Sequence, residues 1–228
     1  MKIEKLIVGQ LQTNCYLVWD EISKEGVIID PGDDGEYIIN RIKDLEIKPQ
    51  MILATHGHFD HLLAVLELKL AFKIPFLLQE KDLFLAKKAV SSAHFFTGDR
   101  EALPVLVDKF IKEGDIIKFG AAKQTSQLKV LETPGHSPGG VSFYGRGVLF
   151  HKKQACLFLK KQACLFSGDT LFAQSIGRTD FSYCSHQDLI NSIKNKLFNL
   201  PNETIVYPGH GEETTIGLEK KFFNSNQF

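Results

Sequence analysis

Four side chains able to bind a metal fall close together at His56, His58, Asp60 and His61, in the run Thr55-His56-Gly57-His58-Phe59-Asp60-His61. On an extended strand His56, His58 and Asp60 would share one face, and on a tight loop all four could converge. Imidazole and carboxylate together suit zinc and other first-row divalent ions. A chance tract of surface histidines would usually lie in polar sequence, whereas this one lies between apolar stretches. Three more runs share one form, a strand, a small-residue turn and then a donor: Thr133-Pro134-Gly135-His136, Phe166-Ser167-Gly168-Asp169 and Tyr207-Pro208-Gly209-His210. Glycine before each donor permits a sharp turn and a close approach. One such run alone is most often just a turn; all of them together, downstream of the histidine cluster, point to a metal site.

Periodicity shows the elements that must carry these donors. Residues 2–8 and 13–20 alternate as strands, Gly26–Asp30 is a buried strand ending at Pro31-Gly32, and Tyr37–Leu45 has apolar residues at helical spacing. Met51–Ala54 is an apolar strand leading to Thr55, Leu62–Phe72 an apolar helix, Ile74–Leu78 a strand, and 80–96 helical. Further strands are expected at Ile116–Phe119, Leu128–Glu132, Val141–Tyr144, Leu165–Gly168 and Thr204–Tyr207, with helices at 186–199 and at the C-terminus. This order, β-rich then helix, occurs twice, and two sheets packed face to face with helices outside would satisfy it. No linker rich in Pro, Gly or Ser divides the chain, so residues 1–228 are expected to form one domain.

Composition narrows the class. Of 228 residues, 43% are hydrophobic and 24% charged, an ordinary globular balance. Lys+Arg and Asp+Glu both number 27, which gives no sign of a nucleic-acid partner. No apolar run is long enough to span a bilayer, and the N-terminus lacks the apolar core of a signal peptide, so a cytoplasmic location is the simplest expectation. Cys15, Cys156, Cys164 and Cys184 form no CxxC pair and read as reduced thiols. Two of them lie in a tandem repeat, in which Lys152–Phe158 recurs as Lys160–Phe166. An offset of eight residues would keep the same side chains on the same face, so the copy could lengthen a hairpin between strands or bulge out. A neutral duplication is favoured over a dithiol role for Cys156 and Cys164.

The set of motifs resembles the metallo-β-lactamase superfamily of hydrolases across essentially the whole chain, and within it the short, stand-alone glyoxalase II-like (hydroxyacylglutathione hydrolase-like) group. The resemblance implies an α/β fold, an αββα four-layer sandwich of two mixed β-sheets with helices on both outer faces and the site at one edge. It also implies that His56, His58 and His136 hold one divalent metal, that Asp60, His61 and His210 hold a second, and that Asp169 bridges both. Zinc is the first choice, with iron or manganese as alternatives. Two ions about 3.5–4 Å apart can lower the pKa of a shared water to near neutrality. The resulting hydroxide, held through Asp60 and Asp169, would attack a small thioester of the hydroxyacylglutathione type or a related ester, with no Ser or Cys nucleophile.

Two further segments refine the resemblance. Ser175-Ile176-Gly177-Arg178-Thr179-Asp180 is similar to the SxGRxD loop of stand-alone glyoxalase II-like proteins and persulfide dioxygenases. Arg178 could meet a substrate carboxylate or brace the loop through Asp180, and the brace is the default reading. Thr214–Lys220 resembles the TTIG-x-E ending of the short group. Asp30 could hydrogen-bond a ligand histidine or simply end its strand.

The departures also count. Only residues 211–228 follow His210, so the helical C-terminal domain that binds glutathione in longer relatives is expected to be absent, and glutathione specificity is not implied. Leu62-Leu63-Ala64 replaces a small pair after the histidine cluster and should narrow the space near the first turn of the helix. Residues 151–166 form an extra stretch within a hairpin. The chief rival activity is a mononuclear iron persulfide dioxygenase of the same fold. A nuclease, a non-catalytic binding module and a β-lactamase have less support. The expected partner is a small thioester or ester, with neither nucleic acid nor membrane.

Overall fold

The computed structural model describes residues 1–99, 102–120, 126–148 and 162–225. A first sheet runs in chain order through β1 (Lys2–Val8), β2 (Thr13–Trp19), β3 (Glu25–Ile29), β4 (Lys48–Leu53), β5 (Phe76–Gln79) and β6 (Lys109–Ile111). Its first three strands are antiparallel, while β3 to β6 are parallel. The parallel crossovers carry α1 (Gly35–Asp44), α2 (Val65–Phe72), α3 (Leu83–Lys87) and α4 (Ala89–Thr97).

The second sheet contains β7 (Ile116–Phe119), β8 (Ser126–Glu132), β9 (Val141–Val148), β10 (Gln162–Gly168), β13 (Ile205–Pro208) and β14 (Thr214–Thr215). A two-stranded ribbon, β11 (Leu171–Phe172) with β12 (Ser175–Ile176), lies outside it, and α5 (His186–Asn195) and α6 (Ile216–Ser225) complete the chain. The β10–β13 pair is parallel and the other neighbours antiparallel, so both sheets are mixed.

Side-chain alternation builds the layers. Leu17, Trp19 and Ile28 pack with Ile38 and Ile42 of α1 and Val65 and Leu68 of α2. Their strand neighbours Tyr16, Val18, Val27 and Ile29 face the other way and meet Phe119, Val130, Phe143 and Phe166 of the second sheet. Beyond that sheet, Leu165 and Val206 pack with Leu189 and Ile193 of α5 and Phe223 of α6. Helix, sheet, sheet and helix layers follow from this parity. This is the αββα four-layer order expected from the sequence. Each large apolar side chain buried in this way contributes roughly 1.5–3 kcal/mol.

Some expectations change in detail. The stretch 80–96 is not one helix: a 3-10 turn at Glu80–Asp82 precedes α3, and the backbone turns again at Lys88 before α4. Helix α2 begins at Val65 rather than Leu62, because Phe59–His61 forms a 3-10 turn. Leu62 goes into the helix-side core, and Leu63 lines a cleft together with Phe59, Asp60 and Glu67. The short strands β6, β11, β12 and β14 carry no periodicity that could announce them. Gln162–Phe166 of the second repeat copy lies in β10, with Cys164 and Phe166 between the sheets. The first copy, with Cys156, lies outside the described residues. Among the described residues no helix is long and apolar enough to cross a membrane.

Candidate metal centre

Every donor singled out in the sequence follows the carboxyl end of a strand: His56 to His61 after β4, His136 after β8, Asp169 after β10 and His210 after β13. Strands from both sheets therefore deliver donors to one edge of the sandwich. Small residues make the approach possible. Gly168 has φ +50°, and a Cβ there would strike Thr55. A Cβ on Gly209 would collide with Asp169 Oδ1 and crowd His61.

The donors converge in three overlapping groups: His56, His58 and His136; His56, His61 and Asp169; and Asp60, His61 and His210, each with its donor atoms within 4.8 Å of one another. His58 Nδ1 lies 3.0 Å from both His56 Nε2 and His136 Nε2. On the other side, His210 Nε2 is 3.3 Å and His61 Nε2 3.7 Å from Asp60 Oδ2. Asp169 lies between them, with Oδ1 3.6 Å from His61 Nε2 and Oδ2 3.6 Å from His136 Nε2 and 3.7 Å from His210 Nε2. His61 Nε2 and Asp169 Oδ1 are buried with no hydrogen-bond partner. Buried polar atoms are costly when unpaired. A cation is the partner that this imidazole and carboxylate set would take, so the residues fit divalent metal.

The outward-facing nitrogen of each histidine meets a different group. His136 Nδ1 donates to the Arg178 carbonyl at 2.9 Å and His210 Nδ1 to the Leu11 carbonyl at 3.1 Å. A carbonyl can only accept, so the Nε2 lone pairs of both histidines are free to face inward. His56 Nδ1 is 3.1 Å from Thr55 Oγ1, which donates to Asp30 at 2.7 Å. Asp30, held at φ 52°, also has its Oδ2 3.2 Å from His61 Nδ1, at ion-pair distance but without a hydrogen bond. His58 Nε2 is 2.9 Å from the Tyr183 hydroxyl.

Charge divides the site. Burial and the neighbouring histidines push His56 far down, and burial with His136 pushes His58 down to about 3, so both are neutral donors at neutral pH. Burial opposes the charge on His61, but Asp60, Asp30 and Asp169 outweigh it and hold its proton up to about 10. His210 is likewise raised against burial, through Asp60 and Asp169. Burial also opposes charge on Asp60, yet His61 and His210 hold it well below the usual carboxylate range. A cation entering beside Asp60 therefore competes with protons for His61 and His210.

Some supporting residues escaped the sequence reading. Asp82, fully buried, accepts from Gly57 N at 2.8 Å, Ser137 Oγ at 2.7 Å and Gly139 N at 2.6 Å. It thereby ties the His56–His58 turn to the His136 turn, although nothing in its local sequence marks it. Glu219 of the TTIG-x-E segment is also buried, accepting from Thr214 Oγ1 at 2.6 Å and Gln174 N at 2.9 Å, and so anchors the ribbon that leads to Arg178. Arg178 itself donates to both carboxylate oxygens of Asp180, at 2.7 and 2.6 Å, as the bracing role requires. A cleft of about 390 Å³ opens over His58, Asp60, His136, Asp169 and His210, walled by Leu11, Phe59, Leu85, Phe96, Phe181 and Tyr183.

Comparison with known proteins agrees with this architecture. The profile of the metallo-β-lactamase superfamily matches residues 8–150 and 154–210. Hydroxyacylglutathione hydrolase GloC of Haemophilus influenzae is 38% identical over 99% of both chains. The crystal structure of BLEG-1 B3 metallo-β-lactamase superposes with a TM-score of 0.78 at 37% identity, covering 96% of each chain. That of TTHA1623 in a di-iron-bound form gives 0.74 at 36% identity, covering 96% of this chain and 98% of the other.

Proposed function

Because the chain belongs to the metallo-β-lactamase superfamily, we propose that it is a binuclear metal-dependent hydrolase of small thioesters, acting as a single domain over residues 1–228. One observation carries this reading: Asp169 stands within 3.6–3.7 Å of histidines from both outer donor groups, where a bridging carboxylate is needed. In the proposal His56, His58 and His136 hold one ion, Asp60, His61 and His210 the other, and Asp169 both. Divalent ions bound there would supply an activated water and a Lewis acid for the substrate carbonyl. The chain's own part is to present neutral imidazoles at His56 and His58 and an anionic Asp60, already poised for a cation. The carbonyl acceptors on the outer nitrogens of His136 and His210 fix which of their nitrogens faces inward. A thiolate leaving group needs little protonation, so none of the lining side chains has to serve as general acid. Zinc is the first metal to test, but the di-iron form of the similar TTHA1623 keeps iron in view.

The likeness to GloC makes a hydroxyacylglutathione the first substrate to test, and the likeness to BLEG-1 adds a β-lactam to the panel. Protein loaded with zinc, manganese or iron should cleave thioesters faster than matched oxygen esters or a β-lactam. Asp169→Asn should lose bound metal and reduce turnover by more than the roughly 100-fold seen on removing a group that only supports a ligand. Full activity with both ions retained in Asp169→Asn would disprove the assignment. Stoichiometric iron with oxygen consumption on a glutathione persulfide would instead mark a dioxygenase.

A further inference from the structure

The cleft over the donors is walled by two aromatic pairs from distant segments. Phe59, between His58 and Asp60 in sequence, stacks on Phe96 of α4 with ring planes 2° apart and centroids 5.8 Å apart. Phe181 and Tyr183, on the loop before α5, stack at 5.4 Å and 17°. The second pair reaches the donors directly: the centroids of Phe181 and Tyr183 are 5.8 and 6.0 Å from that of His58. Leu11 and Leu85 extend the apolar lining.

The charge nearest this wall is already engaged. Arg178 is the only guanidinium or ammonium group lining the cleft among the described residues. Both its side-chain hydrogen bonds go to Asp180, and its guanidinium lies 4.4 Å over the Phe181 ring. A carboxylate on a substrate would have to compete with Asp180 for it, whereas an apolar group would meet the apolar side-chain surface of the wall without disturbing that ion pair. Phe96 remains 57% exposed at the mouth, so a ligand packed there would remove more apolar surface from water.

We propose that this cleft selects substrates with a neutral aromatic or bulky apolar acyl group next to the scissile carbonyl. The aromatic pairs receive that group and Arg178 braces the loop that carries one of them. The inference rests on the thioester reading and specifies its substrate class. A drug-sized group fits a cleft of about 390 Å³, and an aromatic ring between such walls gains about 0.5–1.5 kcal/mol per ring pair beyond its buried area, or about 2- to 13-fold in affinity.

The test holds the thiol constant as neutral N-acetylcysteamine and varies the acyl group through acetyl, lactoyl and phenylacetyl, using metal-loaded protein. kcat/KM should rise at least tenfold from acetyl to phenylacetyl, and the ratio should fall towards one in Phe96→Ala and in Phe181→Ala. Calorimetric titration with the free acids, phenylacetate against acetate, reads the cleft without turnover. A tenfold tighter phenylacetate that weakens in both variants, with no thioester hydrolysed, would sink the hydrolase reading but retain the cleft assignment. Hydrolysis of all three thioesters with equal kcat/KM, or an acid preference unchanged in both variants, would overturn the cleft assignment and leave the hydrolase intact.

Discussion

Tyr183 stands where the cleft meets the donors, since its ring stacks on Phe181 while its hydroxyl reaches His58 Nε2 at 2.9 Å. That contact matters because His58 turns Nδ1 inward, whereas His56 and His136 present Nε2. Groups that hold a ligand's far nitrogen typically change metal affinity by about 10–100-fold when removed. Tyr183→Phe keeps the ring and its stacking, so it isolates the hydroxyl. It should weaken metal binding about tenfold at the His56–His58–His136 group, read by competition with a chromophoric chelator, while the thermal midpoint of the chelated protein stays near that of the parent. Unaltered metal affinity would show that the hydroxyl does not orient His58.

At the level of elements, the break between the 3-10 turn at Glu80–Asp82 and the helices after it has a purpose that helical periodicity cannot express. A continuous helix over 80–96 would present side chains only around its own axis. The bent segment instead buries Asp82 against backbone groups of two donor turns, at Gly57 and Gly139, and against Ser137. Burial raises the Asp82 pKa, and these hydrogen bonds oppose the rise. Asp82→Ala would leave buried donors unpaired at about 1–3 kcal/mol each. Urea unfolding should therefore show a loss of about 3 kcal/mol or more. Asp82→Asn keeps the shape and one strong acceptor, and should recover a large part of that loss. Equal stability of Asp82→Ala and the parent would remove Asp82 from this role.

Across the whole molecule, the proposed ligands join the sheets. The turn after β4 extends from the first sheet, and the turns after β8, β10 and β13 from the second. Metal held by both should act as a staple, because an ion that binds only the folded state stabilises it by mass action, by about 4 kcal/mol at a thousandfold excess over Kd. For a chain of this size each 1 kcal/mol moves Tm by about 2–4 °C. Chelation should therefore lower Tm by on the order of 10 °C, reversed by restoring the metal, and calorimetry would detect it. An unchanged Tm on complete metal removal would mean that the sheets are joined by their apolar interface alone.

Much of this was legible in the sequence because it is local chemistry. The His56–His61 run and the glycine-led turns at His136, Asp169 and His210 carry their donors in short motifs, and the strands before them show in apolar alternation. Asp30 could be suspected from its place at a strand end, and Arg178 from its spacing to Asp180. The layer order also followed, since parity along β2 and β3 sends Leu17 and Ile28 one way and Tyr16 and Val27 the other. What the chain alone could not decide depends on atoms far apart in sequence. Asp82 reaches Gly139 across 57 positions, and Tyr183 reaches His58 across 125. Phe59 finds Phe96, and Glu219 finds Gln174, only after the sheets have packed. Residue type and spacing determine which groups can bind a metal; which nitrogen faces inward, and what walls the cleft above, depend on long-range packing that leaves no local period to read.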